Sequence, residues 1–157
     1  MSLLTDEQLT RKMKRCGNQY SKRLFIGVFS RDNLPISIPK HPCSLIINTD
    51  TKNLPGKHWV AVYISSYKEG EYFDSFGQFP PQDIAIWLNK YTIKWKKVNN
   101  TLLQNPLSFT CGHFVLFYIN ERPLVKSHFH ILKKFNSTTY CNDEFVKHYY
   151  KDHFINC

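Results

Sequence analysis

The central part of the chain alternates short apolar runs with turn-forming residues, a pattern that predicts successive β-strands. The nearly unbroken apolar character of residues 57–65 predicts a central strand that is covered on both faces. A turn over residues 66–70 then leads into a returning strand. The predicted strands cover residues 23–30, 43–48, 57–65, 71–76 and 91–98, and three prolines make residues 33–42 a loop.

Capping residues and helical periodicity predict helices on either side of this run of strands. Thr5 and Gln8 have the spacing of a capping box, Leu4 and Leu9 fit the hydrophobic staple, and Gly17 suits the end of that helix. The predicted helices cover residues 6–16, 80–90, 111–122, 129–135 and 143–154. Helices at both ends around a run of strands indicate the α+β class.

Length and composition place the chain among globular proteins. A chain of 157 residues with 42% hydrophobic content predicts one domain over residues 1–157. No apolar run approaches the roughly 20 residues that cross a membrane, and no signal segment begins the chain, so we expect no membrane association and no secretion. Five cysteines without a paired spacing favour a reducing compartment with at least one free thiol, and Cys157 is assigned no role beyond packing.

The net charge of +9 comes from a strong excess of basic residues, several of them clustered. A polyanion partner such as DNA and a soluble surface with a basic bias are both compatible with this charge. The candidate nucleic-acid-binding residues are Lys12, Lys14, Arg15, Lys96 and Lys97.

Cys111 is the strongest candidate for chemistry, because it lies just ahead of the apolar run of residues 114–119. Thr110 is expected to cap this helix, and Pro123 is expected to end it after about three turns. A helix that is apolar on nearly every face lies inside a protein and holds its N-terminus rigidly. The positive end of the helix dipole favours the thiolate form of a cysteine, which is the nucleophile.

Three upstream residues offer the other groups that a thiolate enzyme needs, namely a base, an acid that orients it and an oxyanion donor. His58 begins the central strand and Asp74 lies on the returning strand. An antiparallel hairpin places them on one face only if the numbers of paired residues sum to an even number, which the sequence leaves open. Gln104, seven residues before Cys111, is placed to reach an oxyanion beside the Cys111 N–H. Together they indicate a cysteine protease that requires no cofactor or metal.

These residues resemble the adenovirus protease (adenain) family, within the wider group of SUMO and other ubiquitin-like-protein proteases. The resemblance covers about residues 7–125, and its motifs are His58-Trp59, Asp74 before Phe76-Gly77, and Gln104 with six residues before Cys111-Gly112. It implies a central mixed β-sheet flanked by helices. It also implies His58 as the base, Asp74 as the orienting acid, Gln104 as the oxyanion donor and Cys111 as the nucleophile, with Trp59 as a wall of the substrate cleft.

The chain departs from the adenovirus enzymes at two points. Asp74 resembles the SUMO-protease acid, where adenovirus enzymes carry a glutamate. Residues 91–101 contain no cysteine for the disulfide that tethers an activating peptide in adenovirus enzymes. The resemblance implies cleavage of capsid or core precursors next to small residues such as Gly. We expect a monomer that is activated by DNA or a peptide and acts in the virion and host nucleus, or in the nucleus and cytoplasm.

Three alternatives remain at this point. A peptidase for ubiquitin-like modifiers would use the same chemistry on another substrate. A catalytically decayed, basic nucleic-acid-binding module would keep only the fold. A metal site is disfavoured, because the spacing of Cys141, His128, His130 and His148 matches no zinc pattern. His113 is expected to pack or cap rather than to catalyse.

Overall fold

A mixed five-stranded β-sheet forms the centre of the computed structural model, which describes residues 3–50 and 58–157. Its strands follow chain order across the sheet: β1 Phe25–Ser30, β2 Cys43–Asn48, β3 Trp59–Ile64, β4 Glu69–Phe73 and β5 Lys94–Lys97. The outer pairs β1–β2 and β4–β5 are parallel, and the inner pairs β2–β3 and β3–β4 are antiparallel. The predicted α+β fold with a central mixed sheet is therefore confirmed.

Helices cover both faces of the sheet. In chain order they are α1 Asp6–Cys16, α2 Gln19–Leu24, α3 Gln82–Tyr91, α4 Cys111–Glu121, α5 His128–Leu132 and α6 Thr139–Tyr150, with a short 3₁₀ helix at Arg122–Leu124 and a π-helical turn at Lys151–Ile155. Side chains of α1, α4 and α6 pack into one core, whereas α3 packs into the other. Helix α4 lies directly over β3, so the centre of the sheet supports it.

Strand β3 shows why the sheet has two separate cores. All six of its residues are buried. Successive side chains of a strand point to opposite faces. Trp59, Ala61 and Tyr63 accordingly join the core under α4, and Val60, Val62 and Ile64 join the core under α3. The prediction of a central strand covered on both faces is confirmed, while Lys57, its predicted first residue, lies outside the described part of the chain.

Helix α1 begins as its local sequence predicts. Thr5 Oγ1 accepts a hydrogen bond from Gln8 N at 3.1 Å, and Gln8 Oε1 accepts one from Thr5 N at 2.8 Å. Both halves of the capping box are therefore present. Gly17 follows the last residue of the helix. A Cβ at this position would lie 2.7 Å from Met13 O, so only glycine fits there without a shift of the backbone.

Several predicted boundaries are wrong, most of them at short elements. Arg23 and Leu24 belong to α2, which Asn18 caps by accepting from Ser21 N, rather than to the following strand. Six residues give too few turns for a helical period to show. Strand β4 runs over Glu69–Phe73 and β5 over Lys94–Lys97, whereas 71–76 and 91–98 were predicted. Helix α6 begins at Thr139, four residues earlier than predicted.

The cysteines give a further correction. Cys16, the last residue of α1, forms a disulfide with Cys157, and their Cα atoms are 5.5 Å apart. The interpretation of Cys157 as a packing residue only is therefore wrong. The free thiols are Cys43, Cys111 and Cys141, of which Cys141 is exposed.

Candidate active site

The β3–β4 hairpin brings His58 and Asp74 together. Ala61 pairs with Phe73, so the numbers of paired residues sum to an even number, and His58 and Asp74 share a face. The prediction that Asp74 lies on the returning strand is wrong, because Asp74 lies directly after β4. The His58 Nε2 and Asp74 Oδ1 atoms are 2.5 Å apart, and the side chains are 12% and 3% exposed, respectively.

The Asp74 carboxylate and backbone are held by neighbouring groups. Phe76 N donates to Asp74 Oδ1 at 2.8 Å, and Asn99 Nδ2 donates to the Asp74 backbone carbonyl at 2.7 Å. The ring of Phe76 also stacks on the His58 imidazole, with centroids 4.5 Å apart and planes 10° from parallel. The acid and the imidazole are thus fixed in orientation as well as in distance.

The proton affinity of His58 results from opposing influences. Burial by itself lowers the pKa of His58, but the hydrogen bond to Asp74, the neighbouring Cys111 sulfur and the charges of both residues outweigh it and raise the pKa to about 9. Because Nε2 is bonded to Asp74, Nδ1 is the nitrogen that remains for the thiol. No hydrogen bond of standard geometry reaches this buried Nδ1.

Cys111 is the first residue of α4 and is 1% exposed. Every helix residue from Cys111 to Asn120 is buried, so the candidate nucleophile is held by a rigid element. The expectation that the Thr110 side chain caps α4 is wrong. Its hydroxyl donates instead to Asp143 Oδ1 at 3.0 Å.

Gln104 is buried in the loop before α4 and is bonded at both ends of its amide. Ser75 Oγ donates to Gln104 Oε1 at 2.6 Å, and Gln104 Nε2 donates to the backbone oxygen and to Oγ of Ser108, both at 3.2 Å. The Ser75 carbonyl also accepts from Gln104 N at 3.1 Å. Sequence reasoning missed Ser75, although its position directly after Asp74 was a usable signal.

Trp59 lies beside the start of α4 but is only 3% exposed. Its indole N–H donates to Leu4 O at 2.8 Å. The Leu4 side chain also packs on Gly112, where an added Cβ would lie 3.1 Å from it. The predicted role of Trp59 as a wall of the substrate cleft stays a prediction.

The structure does not bring the five candidate nucleic-acid-binding residues together. Helix α1 packs beside β1, whereas β5 forms the opposite edge of the sheet, about 19 Å away at the usual strand spacing. Lys12 Nζ donates to Phe154 O at 2.5 Å, and Lys97 Nζ donates to Gly77 O at 2.7 Å. The members that remain exposed are Lys14, Arg15 and Lys96.

The remaining histidines and cysteines do not assemble into a site. His128 is buried, whereas His130, His148 and Cys141 are exposed. Across residues 3–50 and 58–157, no group of three or more His, Cys, Asp or Glu side chains could hold a metal ion. Within the same ranges, no helix has both the length and the apolar character to cross a membrane. His113 packs against the Tyr150 ring, as expected, and burial lowers its pKa to about 4.

The family of the chain follows from comparison with known proteins. Residues 4–128 match the C-terminal catalytic domain of the Ulp1 protease family. The chain therefore belongs to this family of cysteine peptidases, and the predicted enzyme class is confirmed at the level of the family.

Two of the similar proteins are viral proteases. The chain is 33% identical over 97 residues to the cysteine protease S273R of African swine fever virus. The aligned region covers 53% of this chain and 36% of that protein. It is 31% identical over 96 residues to the protease of avian adenovirus 8, covering 60% of this chain and 43% of that protein. The chain thus spans less than half the length of these relatives.

A solved structure shares the fold. The crystal structure of the African swine fever virus pS273R protease aligns with a TM-score of 0.69 at 22% identity. The alignment covers 98% of this chain and 67% of that one. The likeness therefore extends through the C-terminal helices, beyond residue 128 where the family match ends.

Proposed function

We propose that this domain is a cysteine endopeptidase with Cys111 as the nucleophile, His58 as the base and Asp74 as the orienting acid. The observation that carries the proposal is the bond between His58 Nε2 and Asp74, which leaves the buried Nδ1 for Cys111. With a pKa of about 9, His58 is protonated at neutral pH, which supports a thiolate–imidazolium pair. Asp74 keeps the ring oriented while the proton moves.

The reaction is acyl transfer. The Cys111 thiolate attacks a peptide carbonyl carbon and forms a C–S bond, while the carbonyl oxygen becomes an oxyanion. His58 then gives its Nδ1 proton to the leaving amine as the C–N bond breaks. Water, deprotonated by His58, next attacks the thioester, and breakage of the C–S bond releases the acid and restores the thiolate.

Gln104 and the Cys111 backbone N–H serve as the oxyanion donors in this proposal. The two acceptors on Ser108 lie at equal distances from Gln104 Nε2 and can share one N–H. An amide nitrogen carries two N–H groups, so the second is left for the oxyanion. The hydrogen bond from Ser75 holds the oxygen end of the amide away from that position.

We propose protein precursors of a virus or virus-like element as substrates, with cleavage next to small residues such as Gly. The support is the viral origin of the relatives. A second substrate class, ubiquitin-like modifiers, is favoured by relatives named SUMO-1 cysteine protease. A decayed nucleic-acid-binding module is less well supported, because competent side chains occupy all four proposed catalytic positions. Activation by DNA or a peptide and action in the virion or nucleus remain predictions.

The test is hydrolysis of a panel of Gly-containing precursor peptides and SUMO conjugates, with and without DNA. Cys111→Ala is expected to abolish cleavage, and Gln104→Ala to lower kcat by about 10²–10³-fold, as for other oxyanion donors. Cys141→Ala is the matched control, because this free thiol is exposed and outside the site. Cleavage that survives Cys111→Ala would refute the proposed chemistry, and the preferred substrate decides between the two classes.

A further inference from the structure

Two consecutive buried residues of α6 reach across to the loop that carries Gln104. Asn142 and Asp143 are 1% and 3% exposed, respectively, and sit in the first turns of the helix. Both lie outside residues 4–128, the part that matches the family. Their contacts with the loop over residues 103–110, called here the oxyanion loop, involve its start, its middle and its end.

Asn142 fixes the start of the oxyanion loop. Its Nδ2 donates to the Leu103 carbonyl at 3.1 Å, in a bond buried from solvent. The same side chain is held on its other side, because Asn142 Oδ1 accepts from Asn136 N at 2.9 Å and Nδ2 also donates to Asn136 O at 2.8 Å. Leu103 in turn donates its N–H to the Ser75 carbonyl at 2.9 Å, which links α6 to the segment after β4.

Asp143 fixes the middle and the end of the oxyanion loop. Its Oδ1 accepts from Asn105 N at 3.3 Å and from Thr110 Oγ1 at 3.0 Å. Asn105 directly follows the proposed oxyanion donor, and Thr110 directly precedes the nucleophile. One carboxylate oxygen is therefore bonded to the neighbours of both groups that are proposed to stabilise the transition state.

A hydrogen-bonded chain also connects Asp143 to the Gln104 side chain. A carboxylate only accepts, so the Thr110 hydroxyl proton must point to Asp143. Ser108 Oγ lies 2.9 Å from the Thr110 oxygen and 2.9 Å from the Asn105 carbonyl, and it accepts from Gln104 Nε2. Asp143 is thus linked through Thr110 and Ser108 to the Gln104 amide, whose two ends are oriented by the Ser75 hydroxyl and the Ser108 carbonyl.

We infer that Asn142 and Asp143 are positioning residues, which hold Gln104 and the Cys111 N–H at the oxyanion site. This inference rests on the proposed function, in which those two groups bind the oxyanion. Neither residue contacts His58 or Asp74 by any hydrogen bond of the described chain. Their effect should therefore fall on the oxyanion donors and leave the base unchanged.

The main experiment compares Asp143→Ala with the wild type in peptide hydrolysis. We expect kcat to fall by about 10–100-fold, because small misplacements of catalytic groups cost up to about 10² in rate. KM should stay within about threefold, and the pH profile set by His58 should not move. Asp143→Asn should recover most of the activity, since an amide oxygen can accept the same two hydrogen bonds. Glu144→Ala is the matched control, because the partly exposed Glu144 side chain forms an ion pair with Lys147 of the same helix.

Hydrogen exchange of the oxyanion-loop amides gives a readout that does not depend on activity. Asp143→Ala should speed exchange in residues 103–110 and leave β3 unchanged. If Asp143→Ala fails to fold, Thr110→Val tests the same link from the other side and should give the same loss in kcat. Normal kcat in an active, folded variant, or unchanged loop exchange, would overturn the inference. An inactive wild type, or an active Cys111→Ala protein, would instead refute the proposed function.

Discussion

The charge state of His58 depends on a few neighbouring groups. Burial opposes the imidazolium, whereas the carboxylate of Asp74 and the thiol of Cys111 favour it, and the result is a pKa of about 9. Phe76 stacks on the ring and donates its N–H to the same carboxylate oxygen. A residue that was chosen from sequence as a base is therefore built to be protonated before the reaction starts.

The first prediction concerns the pH dependence of kcat/KM. As pH rises through about 9, His58 loses its proton in the free enzyme, so kcat/KM is expected to fall on that limb. Asp74→Asn removes a charge that raises the His58 pKa, so the basic limb should move to lower pH. Asp83→Asn, a change to the carboxylate paired with Arg31, is the control and should leave the limb in place. If the basic limb of Asp74→Asn stays in place, the observed titration does not belong to His58.

The same proton is linked to stability. The folded-state pKa of about 9 lies above the ordinary value of 6.5, so protonated His58 stabilises the fold fully below about pH 6.5. That contribution is lost as pH rises through about 9. The difference in Tm between the wild type and His58→Ala should therefore shrink between about pH 6 and about pH 10, as measured by thermal unfolding. A difference that grows over this range would contradict the assignment.

At the level of elements, a buried polar cluster joins β4 to the end of α4. Arg122 Nε and Nη2 donate to the two oxygens of Glu71, both at 2.8 Å, and Tyr118 Oη donates to Glu71 Oε1 at 2.5 Å. Arg122 also lies over the Tyr63 ring, 4.6 Å from its centroid. The cluster fixes the far end of the helix whose first residue is Cys111.

Breaking this cluster should destabilise the whole fold. Arg122→Ala leaves the buried Glu71 without its partner, and such losses cost about 3–5 kcal/mol in the free energy of unfolding. Urea denaturation measures the change. Lys147→Ala is the matched control, because it breaks the partly exposed pair with Glu144 and should change the same free energy by less than about 1 kcal/mol. Equal effects of the two variants would mean that the buried Arg122–Glu71 pair contributes no more to the free energy of unfolding than the partly exposed pair.

Elements with strong local signals could be predicted from the sequence, and those without them could not. The capping box at Thr5 and the apolar run after Cys111 each predict a helix from a few neighbouring residues. Helix α2 has too few turns to show a period, and the polar Glu69 at the start of β4 resembles a turn residue. The contact between the oxyanion loop and α6 was missed for another reason, since the bond from Thr110 to Asp143 joins residues that are 33 positions apart.

At the level of the whole molecule, the first helix and the end of the chain are joined. The Cys16–Cys157 disulfide spans 141 positions, and Lys12 donates to Phe154 O beside it. The sequence predicted neither contact, because pairing of cysteines depends on tertiary structure. Tertiary structure also decides where the basic residues lie. Composition shows that they are present, but the order of the strands places those of α1 and those of β5 at opposite edges of the sheet.

Removal of the disulfide should lower stability without changing the site. A disulfide typically contributes about 2–4 kcal/mol by restricting the unfolded chain, and the contribution increases with the length of the closed loop. Cys16→Ser with Cys157→Ser should therefore lower Tm, whereas Cys141→Ser should not. Reductant should lower the Tm of the wild type to that of the double variant. A Tm that does not respond to reductant would show that the two sulfurs are not bonded in solution.

The separation of Thr110 and Asp143 along the chain also orders events in time. A ribosome releases the N-terminal part first, at about 5–20 residues per second, so Cys111 emerges before the α6 residue that is proposed to position its loop. The 33 positions between Thr110 and Asp143 correspond to a delay on the order of seconds. During that interval a nascent chain carries the proposed nucleophile and the proposed acid–base pair without the support of α6. Under the proposed function, synthesis itself therefore postpones full activity until α6 has been made.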